Sequence, residues 1–281
     1  MSHYITIDQG RELKKHYENF PVATLLFPKK IRNAATILYQ FARQCDDIAD
    51  EGDKSREERL QLLNQYSNEI SNLKNEAPKR TPLFLDIEKV MGEYSIKVSL
   101  LKKLMRAFKQ DVNKKCYLTI NELNNYCDDA ANPAGEMILS LFGQNSEKNL
   151  RYSNSLCRAL ALIGIIQDIE EDYAKGRIYL PQDEMKKYKI KADDIQNRDF
   201  NHHWIHYKNF WINRVEQLLN EGRPLEGELH GRIRLQISIL IRAIELLIKR
   251  MRSAECNLFN QPPKLSKMDW AHLTIKSILP L

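Results

Sequence analysis

Two acidic segments lie within apolar stretches of helical spacing, and they constrain this chain more than any other feature. The first is Asp46-Asp47-Ile48-Ala49-Asp50 and the second is Asp168-Ile169-Glu170-Glu171-Asp172. Four residues make about one helical turn, so the two outer aspartates of each segment face the same way. Like charges at this spacing destabilise a helix, and burying them costs more unless a cation compensates. Two such helices facing each other would offer the oxygen ligands that Mg²⁺ accepts beside phosphate oxygens. The sequence therefore predicts an enzyme that holds a diphosphate through Mg²⁺.

The remaining pattern predicts an all-α protein. Apolar residues mostly recur at intervals of three and four, and the 281 residues include only 10 glycines and 10 prolines. We expect helices near residues 30–50, 55–76, 83–92, 97–113, 119–143, 147–175, 201–221, 227–256 and 265–279. Pro133 predicts a kink or a split in the helix at 119–143, and only residues 176–181 look extended. No linker or seam is detectable, so residues 1–281 are predicted to form a single domain.

Composition and motifs argue against several classes of function. The net charge is +6, but acids and bases are interspersed, which argues against the clustered footprint of a nucleic-acid-binding protein. A mild attraction to an anionic membrane surface stays open. The cysteines are odd in number, at 5, and form no CxxC pair, which favours reduced thiols in a cytosolic protein. The sequence has no signal-peptide core and no apolar run of about 18 residues. It also lacks the GxSxG, GxGxxG and Walker A strings, so a serine hydrolase is excluded and nothing indicates a nicotinamide or ATP site.

The first acidic helix carries two more polar side chains on the stripe that its aspartates occupy. Arg43 lies three residues before Asp46, and Tyr39 lies seven before it. A guanidinium can bind phosphate oxygens in a forked geometry while carboxylates hold a metal. The alternative is an exposed salt-bridge face, in which Arg43 pairs with Asp46 or Asp47 and contributes little energy.

The second acidic helix carries small or aliphatic residues behind its first aspartate. Counting back from Asp168, the same stripe contains Ile165, Gly164, Ala161 and Leu160. The pattern predicts an apolar pocket with a charged mouth. The alternative is a core helix whose acid-rich end reaches water.

Four weaker features each have a plain structural alternative. Lys175 and Arg177 follow the second acidic helix and would close over a bound diphosphate, or they complement a helix C-terminus that ends at Gly176. Asp111, alone in an amphipathic helix, is by itself most simply an exposed carboxylate. The histidine cluster has no carboxylate partner and is interpreted as surface; it comprises His202, His203 and His206. The C-terminal segment is either a membrane contact or the last packed helix; its apolar residues are Trp270, Leu273, Ile275, Ile278 and Leu279.

Taken together, these motifs resemble the squalene/phytoene synthases, the head-to-head prenyl-coupling branch of the all-α isoprenoid synthase fold. The resemblance runs from about His16 to the last helix, and its motifs are Tyr39-x-x-x-Arg43-x-x-Asp46-Asp47-Ile48-Ala49-Asp50-Glu51, Gln110-Asp111, and Gln167-Asp168-x-x-x-Asp172 followed by Gly176-Arg177-Ile178-Tyr179-Leu180-Pro181. Within this family, residues 16–23, 108–112, 126–127 and 131–135 look most like the hydroxysqualene synthases of hopanoid-type pathways.

Three positions refine the resemblance. Residues 18–21 are Glu-Asn-Phe-Pro where phytoene and presqualene diphosphate synthases usually have a Ser-rich segment. Gln167 stands where those enzymes usually have Arg, and both departures favour the hydroxysqualene subgroup. Gly164 stands where the family usually has an Asn that helps to hold metal and diphosphate.

The resemblance implies a helical bundle around a central apolar cavity and a site that converts presqualene diphosphate to hydroxysqualene. Mg²⁺ would be held by Asp46, Asp50, Asp168 and Asp172, which with Tyr39 and Arg43 form the expected catalytic set. The expected substrate-binding residues are His16, Asn19, Phe20, Arg43, Gln110, Asp111, Tyr126, Asn132, Gln167, Lys175, Arg177 and Tyr179. Aromatic faces such as Tyr39 and Phe20 would stabilise a carbocation, and water would capture it. The candidates for steering that water are Glu18, Asn19 and Tyr126. No nicotinamide cofactor is expected.

Two alternatives remain open from the sequence. One is coupling of two prenyl diphosphates to presqualene diphosphate, squalene or phytoene. The other is a non-catalytic helical accessory protein, which Gly164 keeps open. The expected setting is cytoplasmic or peripheral at the inner face of the membrane. Contact with pathway enzymes is a further hypothesis, and no nucleic-acid partner is expected.

Overall fold

The computed structural model describes residues 27–73, 81–253, 256–260 and 262–278, and the regular structure in these ranges is helical. In chain order the helices are α1 (Lys29–Asp50), α2 (Arg56–Ser71), α3 (Pro82–Glu93), α4 (Val98–Asn113), α5 (Ile120–Ala130), α6 (Asn132–Leu141), α7 (Glu147–Gln167), α8 (Ile169–Ala174), α9 (Gln182–Lys187), α10 (Ala192–Gln196), α11 (His202–Gly222), α12 (Leu225–Glu228), α13 (Arg232–Arg252) and α14 (Lys267–Ile278). The prediction of an all-α protein is confirmed. None of the helices in the described ranges is long and apolar enough to cross a membrane.

Most helix boundaries follow local signals. Ser55 and Glu58 form a capping box at the start of α2, and the side chain of Thr119 caps α5. Pro133 lies in the first turn of α6, where its missing N–H leaves no helical hydrogen bond unmade. The helix expected at 119–143 is therefore split, as the proline predicts.

Two long helices expected from periodicity are interrupted. The one expected at 147–175 is broken at Asp168, whose backbone leaves the helical region at φ −104° and ψ 15°. Its N–H still bonds to the Gly164 carbonyl, and its own carbonyl accepts from Asp172 N–H, so the chain bends instead of ending. The helix expected at 227–256 begins only at Arg232, because Gly231 has φ 70°, a left-handed conformation that glycine adopts without strain. The short helices α9 and α10 were not expected from periodicity.

The extended segment at 176–181 crosses the chain after α4. Ile178 N–H donates to the Lys115 carbonyl at 2.8 Å, and Ile178 forms an isolated parallel bridge with Cys116. This pairing holds the residues after the second acidic segment against the end of α4. The expectation of an extended stretch here is confirmed.

The described residues form three clusters of buried side chains, a small one between α13 and α14 and two large ones that meet at α6. One is centred on the packing of α7 against α11 and includes Trp204 and Ile163. The other lies among α1 to α4 and includes Phe41 and Leu101. On α6, Leu139 belongs to the first of these large clusters and Met137 and Leu141 to the second, so this helix joins them. The single-domain boundary at 1–281 stays a prediction.

Candidate active site

The two acidic segments meet at one guanidinium. Arg177 Nη1 lies 2.6 Å from Asp50 Oδ1, and its Nη2 lies 2.9 Å from Asp50 Oδ2. The same Nη2 lies 3.2 Å from Asp172 Oδ1. The end of α1 and the short helix α8, more than a hundred residues apart in sequence, therefore present their carboxylates to the same place. The bidentate geometry towards Asp50 is the strong form of an ion pair.

Lys175 extends this contact. Its Nζ lies 3.2 Å from Asp50 Oδ2 and 3.1 Å from Glu171 Oε1. Gly176, in the left-handed region at φ 73°, lets the chain turn from α8 so that Lys175 and Arg177 both reach Asp50. The two cations that the sequence placed after the second acidic segment are thus part of the site, beyond any interaction with the helix dipole.

Arg43 forms its ion pairs with acids of its own helix, α1. Its Nη1 lies 2.9 Å from Asp46 Oδ2, and its Nη2 lies 2.6 Å from Asp47 Oδ1. This is the salt-bridge arrangement weighed as the alternative from the sequence, but the Arg43 side chain is only 27% exposed. The guanidinium therefore lies at the edge of the carboxylate cluster, where an incoming phosphate would compete for it.

In the ion pairs of the site, six acids share the three cations Arg43, Lys175 and Arg177, so negative charge is in excess. Burial raises the pKa of Asp46, with Asp50 and Asp47 adding to the rise and Arg43 and Lys175 opposing it. Burial also raises the pKa of Asp168, and it raises that of Asp172 to about 6. Burial also acts to raise the pKa of Asp50, but the hydrogen bond and charge of Arg177 outweigh it, so this pKa is lowered.

This charge imbalance fits a divalent cation. Within the described ranges, no three Asp, Glu, His or Cys side chains converge closely enough to hold a metal ion by themselves. Mg²⁺ usually binds through one or two carboxylates together with substrate phosphates and waters, and does not need a cage made entirely of protein. Under-compensated carboxylates on two facing helices, with cations beside them, are therefore a suitable donor set for Mg²⁺ bound together with a diphosphate.

A tyrosine cluster lies behind the ion-pair network. The rings of Tyr117, Tyr126 and Tyr179 have centroids 5.3 to 5.5 Å apart. Tyr179 Oη donates to Asp111 Oδ1 at 2.6 Å, and the Arg177 guanidinium lies 5.7 Å from the centre of the Tyr179 ring. The cluster thereby connects the charged mouth to α4 and α5.

Asp111 is not the exposed carboxylate that the sequence alone suggested. It is half-buried against these tyrosines, and burial raises its pKa to about 7 despite the hydrogen bonds from Tyr179 and Tyr126. Next to it, Gln110 Nε2 donates to Tyr117 Oη at 3.1 Å. Tyr117 is a site residue that sequence reasoning missed. Its signal was weak, since it lies in the irregular segment between α4 and α5.

The face of α7 behind Asp168 is open at one point and closed at another. A Cβ atom placed on Gly164 would meet nothing within 4 Å, so there is room beside the second acidic segment. Further back, a Cβ on Gly135 of α6 would lie 2.5 Å from Ser153 Oγ and 2.6 Å from Cys157 Sγ. Helices α6 and α7 therefore touch there. Ala161 and Ile165, on the open face, are half-buried. The central apolar cavity itself stays a prediction.

Several expected substrate-binding residues have other contacts. Asn132 is 3% exposed and donates to Asp128 Oδ1 at 2.9 Å, within a polar cluster that also contains Arg158. Gln167 Nε2 donates to the Pro263 carbonyl at 2.5 Å, which ties the second acidic segment to the chain before α14. Tyr39 is half-buried on α1, on the turns before Arg43.

Two groups of residues lie apart from this arrangement. His16, Glu18, Asn19 and Phe20 lie outside the described residues. In the histidine cluster, His202 and His206 are exposed and His203 is half-buried, as expected for surface residues.

Comparison with known proteins leads to the same family that the sequence motifs resemble. The family model described as squalene/phytoene synthase matches residues 13–269. The chain is 26% identical to a hydroxysqualene synthase from Rhodopseudomonas palustris, over 85% of this chain and 80% of that protein. It is 32% identical to a presqualene diphosphate synthase from the same organism, over 63% of this chain but only 62% of that protein. The crystal structure of squalene synthase HpnC from Alicyclobacillus acidocaldarius is 29% identical and superimposes with a TM-score of 0.78, covering 85% of this chain and 89% of that one. The fold is thus of the isoprenoid synthase type.

Proposed function

Since the chain belongs to the squalene/phytoene synthase family, we propose that it converts presqualene diphosphate to hydroxysqualene with Mg²⁺. Prenyl diphosphates are the substrates consistent with membership of this family. The choice of presqualene diphosphate and of water as its co-substrate is our proposal. It is supported by the similarity to a hydroxysqualene synthase and by the residues at positions 18–21 and 167.

The observation that carries the proposal is the convergence of Asp50 and Asp172 on Arg177. It brings acids from two helices, and the cations that follow the second, to one mouth. A diphosphate needs both kinds of group, because its oxygens bind cations and its metal binds carboxylates. Lys175 and Arg177 pair with Asp50, and Arg177 also pairs with Asp172, so the cations of the chain neutralise part of the acid cluster.

In the proposed reaction, Mg²⁺ would be held by diphosphate oxygens together with one or two carboxylates of the set Asp46, Asp50, Asp168 and Asp172. When bound, the ion supplies Lewis-acid polarisation of the diphosphate oxygens. Lys175 and Arg177 would transfer part of their pairing from Asp50 to the leaving diphosphate as its charge develops. The carbon–oxygen bond to the diphosphate breaks with both electrons leaving on oxygen, so the hydrocarbon is left as a cation.

The tyrosine cluster would serve the later steps. Its ring faces attract a cation, so they favour carbon-centred positive charge at this end of the site. Capture of the cation by water forms a carbon–oxygen bond and releases one proton. Asp111 has a pKa of about 7 and two phenol partners, so it is suited to take that proton near neutral pH. We assign Asp111 as the base and Tyr126 as the group that orients the water.

The test is incubation of the purified protein with presqualene diphosphate, with and without Mg²⁺ and with and without a nicotinamide reductant. Hydroxysqualene in the organic extract, dependent on Mg²⁺ and independent of reductant, is the expected result. Asp168→Ala should abolish turnover and leave the fold intact. Asp53→Asn, an exposed acid three residues beyond Asp50, is the matched control and should keep full activity. Recovery of unreacted presqualene diphosphate would refute the proposal.

One alternative rests on the similarity to a presqualene diphosphate synthase. It is the coupling of two prenyl diphosphates, and the assay for it supplies farnesyl or geranylgeranyl diphosphate alone. A coupled product from either compound would favour this function. The same assay, run without presqualene diphosphate, serves as the control for the main test.

A second alternative, a non-catalytic helical protein, rests on Gly164. Calorimetry with a diphosphate ligand separates it, because an inactive scaffold should show no Mg²⁺-dependent binding. The open space at Gly164 also allows Gly164→Asn to be made without a clash. We expect that variant to bind Mg²⁺ and diphosphate more tightly than the natural protein.

A further inference from the structure

Helix α14 presents an apolar strip to solvent. Met268 is 84% exposed, Ile275 is 57% exposed and Ile278 is 55% exposed. Their spacing of seven and three residues puts them on one face, with the exposed Ala271 between them. We call these four residues the outer strip. The opposite face of the helix is packed, since Leu273 is buried with Ile239 and Ala243 of α13.

Cations border the outer strip on both sides. At 100° per residue, Lys276 lies about 100° to one side of Ile275 and Lys267 about 80° to the other. Both lysines are exposed. The acid of α14, Asp269, lies about 20° from Lys276 around the helix, but its charge is paired with Arg250 at 2.6 and 2.9 Å. An apolar face flanked by lysines is the pattern of a helix that lies in the interface of an anionic bilayer.

The strip is also connected to the acidic site. Gln167, beside Asp168, donates to the Pro263 carbonyl, and Arg250 Nη1 donates to the Lys264 carbonyl at 2.8 Å. Arg250 thus binds both the chain before α14 and Asp269 within it. The segment from 263 to 269 therefore joins the second acidic segment to the helix that carries the strip.

We propose that the outer strip docks α14 flat on an anionic lipid bilayer. The charge of the strip's border favours a bilayer over a second copy of the chain as its partner. Two strips packed face to face would bring their own lysines together, whereas anionic headgroups complement them. The docked orientation would place the neighbouring site close to the lipid surface, where long prenyl chains partition. The inference goes beyond the proposed function and holds or fails without it.

The experiment is sedimentation of the full chain with lipid vesicles. One set contains phosphatidylcholine alone, and the other contains phosphatidylcholine and phosphatidylglycerol in equal parts. We expect binding to the anionic vesicles and much less to the neutral ones. The double variant Met268→Glu with Ile275→Glu should lower the binding constant at least about tenfold, because apolar burial is lost and two like charges face the headgroups. Leu85→Glu, on α3 at an exposed apolar position (44%), is the matched control and should bind normally.

A lysine series tests the electrostatic part. Lys267→Gln and Lys276→Gln together should reduce the preference for anionic vesicles, by roughly fivefold for each charge removed. Circular dichroism and urea midpoints check that every variant is folded. The proposal is overturned if the wild-type chain does not bind anionic vesicles or if the double glutamate variant binds as well as Leu85→Glu. A third outcome would also overturn it. If the wild-type chain does not bind vesicles and the double glutamate variant has a smaller sedimenting mass than the wild-type chain, the strip is an interface with a second copy. Since no substrate is present, none of these outcomes bears on the proposed reaction.

Discussion

Replacement of Asp111 by Asn should make the protein more stable at alkaline pH and leave it unchanged in acid. Asp111 is half-buried, accepts a hydrogen bond from Tyr179, and has a pKa raised by burial from an ordinary 3.8 to about 7. Because the folded state holds the proton more tightly than the unfolded state, unfolding releases it between those two values. Stability therefore falls as the pH rises from about 4 to about 7, and the full cost is present above that window.

The magnitude follows from the size of the rise. A pKa that moves from 3.8 to about 7 corresponds to about 4 kcal/mol of differential stability at most, at about 1.4 kcal/mol for each unit. Asn keeps an oxygen that can accept from Tyr179 Oη, but it carries no charge at any pH. The variant should therefore match the natural protein below about pH 4 and exceed it by up to about 4 kcal/mol above pH 7.

The assay is urea unfolding at about pH 5 and about pH 8, with a chelator present so that the metal-free protein is compared. Asp53→Asn replaces an exposed carboxylate by the same amide and should leave the pH dependence of the midpoint unchanged. If Asp111→Asn and the natural protein differ equally at both pH values, the burial argument is refuted. If the variant also kept full activity at neutral pH, the role of Asp111 as a base would fail separately.

Two other sets of variants test the packing and the ion pairs. Gly135→Ala should destabilise the protein by about 1–3 kcal/mol, because its methyl group would overlap two side chains of α7. Gly164→Ala has open space around its new methyl group and should stabilise the protein by about 0.5–1 kcal/mol. If the urea midpoints of the two variants fell in the opposite order, the contact between α6 and α7 would be contradicted. Arg177→Gln should cost roughly 1–3 kcal/mol in the metal-free protein, since it removes the partner that Asp50 and Asp172 share. Added Mg²⁺ should recover part of that loss, and a thermal or urea midpoint unaffected by the substitution would show that the bridge contributes nothing.

Local sequence patterns were sufficient for most of the helices and for the composition of the site. Apolar spacing predicted α1, α3 and α4 closely and the start of α2, which ends at Ser71 and not at 76. Pro133 predicted the division between α5 and α6, because a proline removes a helical hydrogen bond wherever it stands. The paired aspartates on one face of each acidic segment also follow from a four-residue spacing alone. Such patterns depend only on residues within a turn or two of each other.

The tertiary structure decided which of these residues meet. That Arg177 binds Asp50, that Asp111 is enclosed by tyrosines from two other segments, and that Gly135 touches α7 are contacts between distant parts of the chain. The bend at Asp168 and the left-handed Gly231 also escaped the periodicity, because apolar spacing continues across both. Burial depends on how helices pack, and the pKa of a carboxylate depends on burial. The chemical character of the site thus came from the fold, whereas the list of its acids came from the sequence.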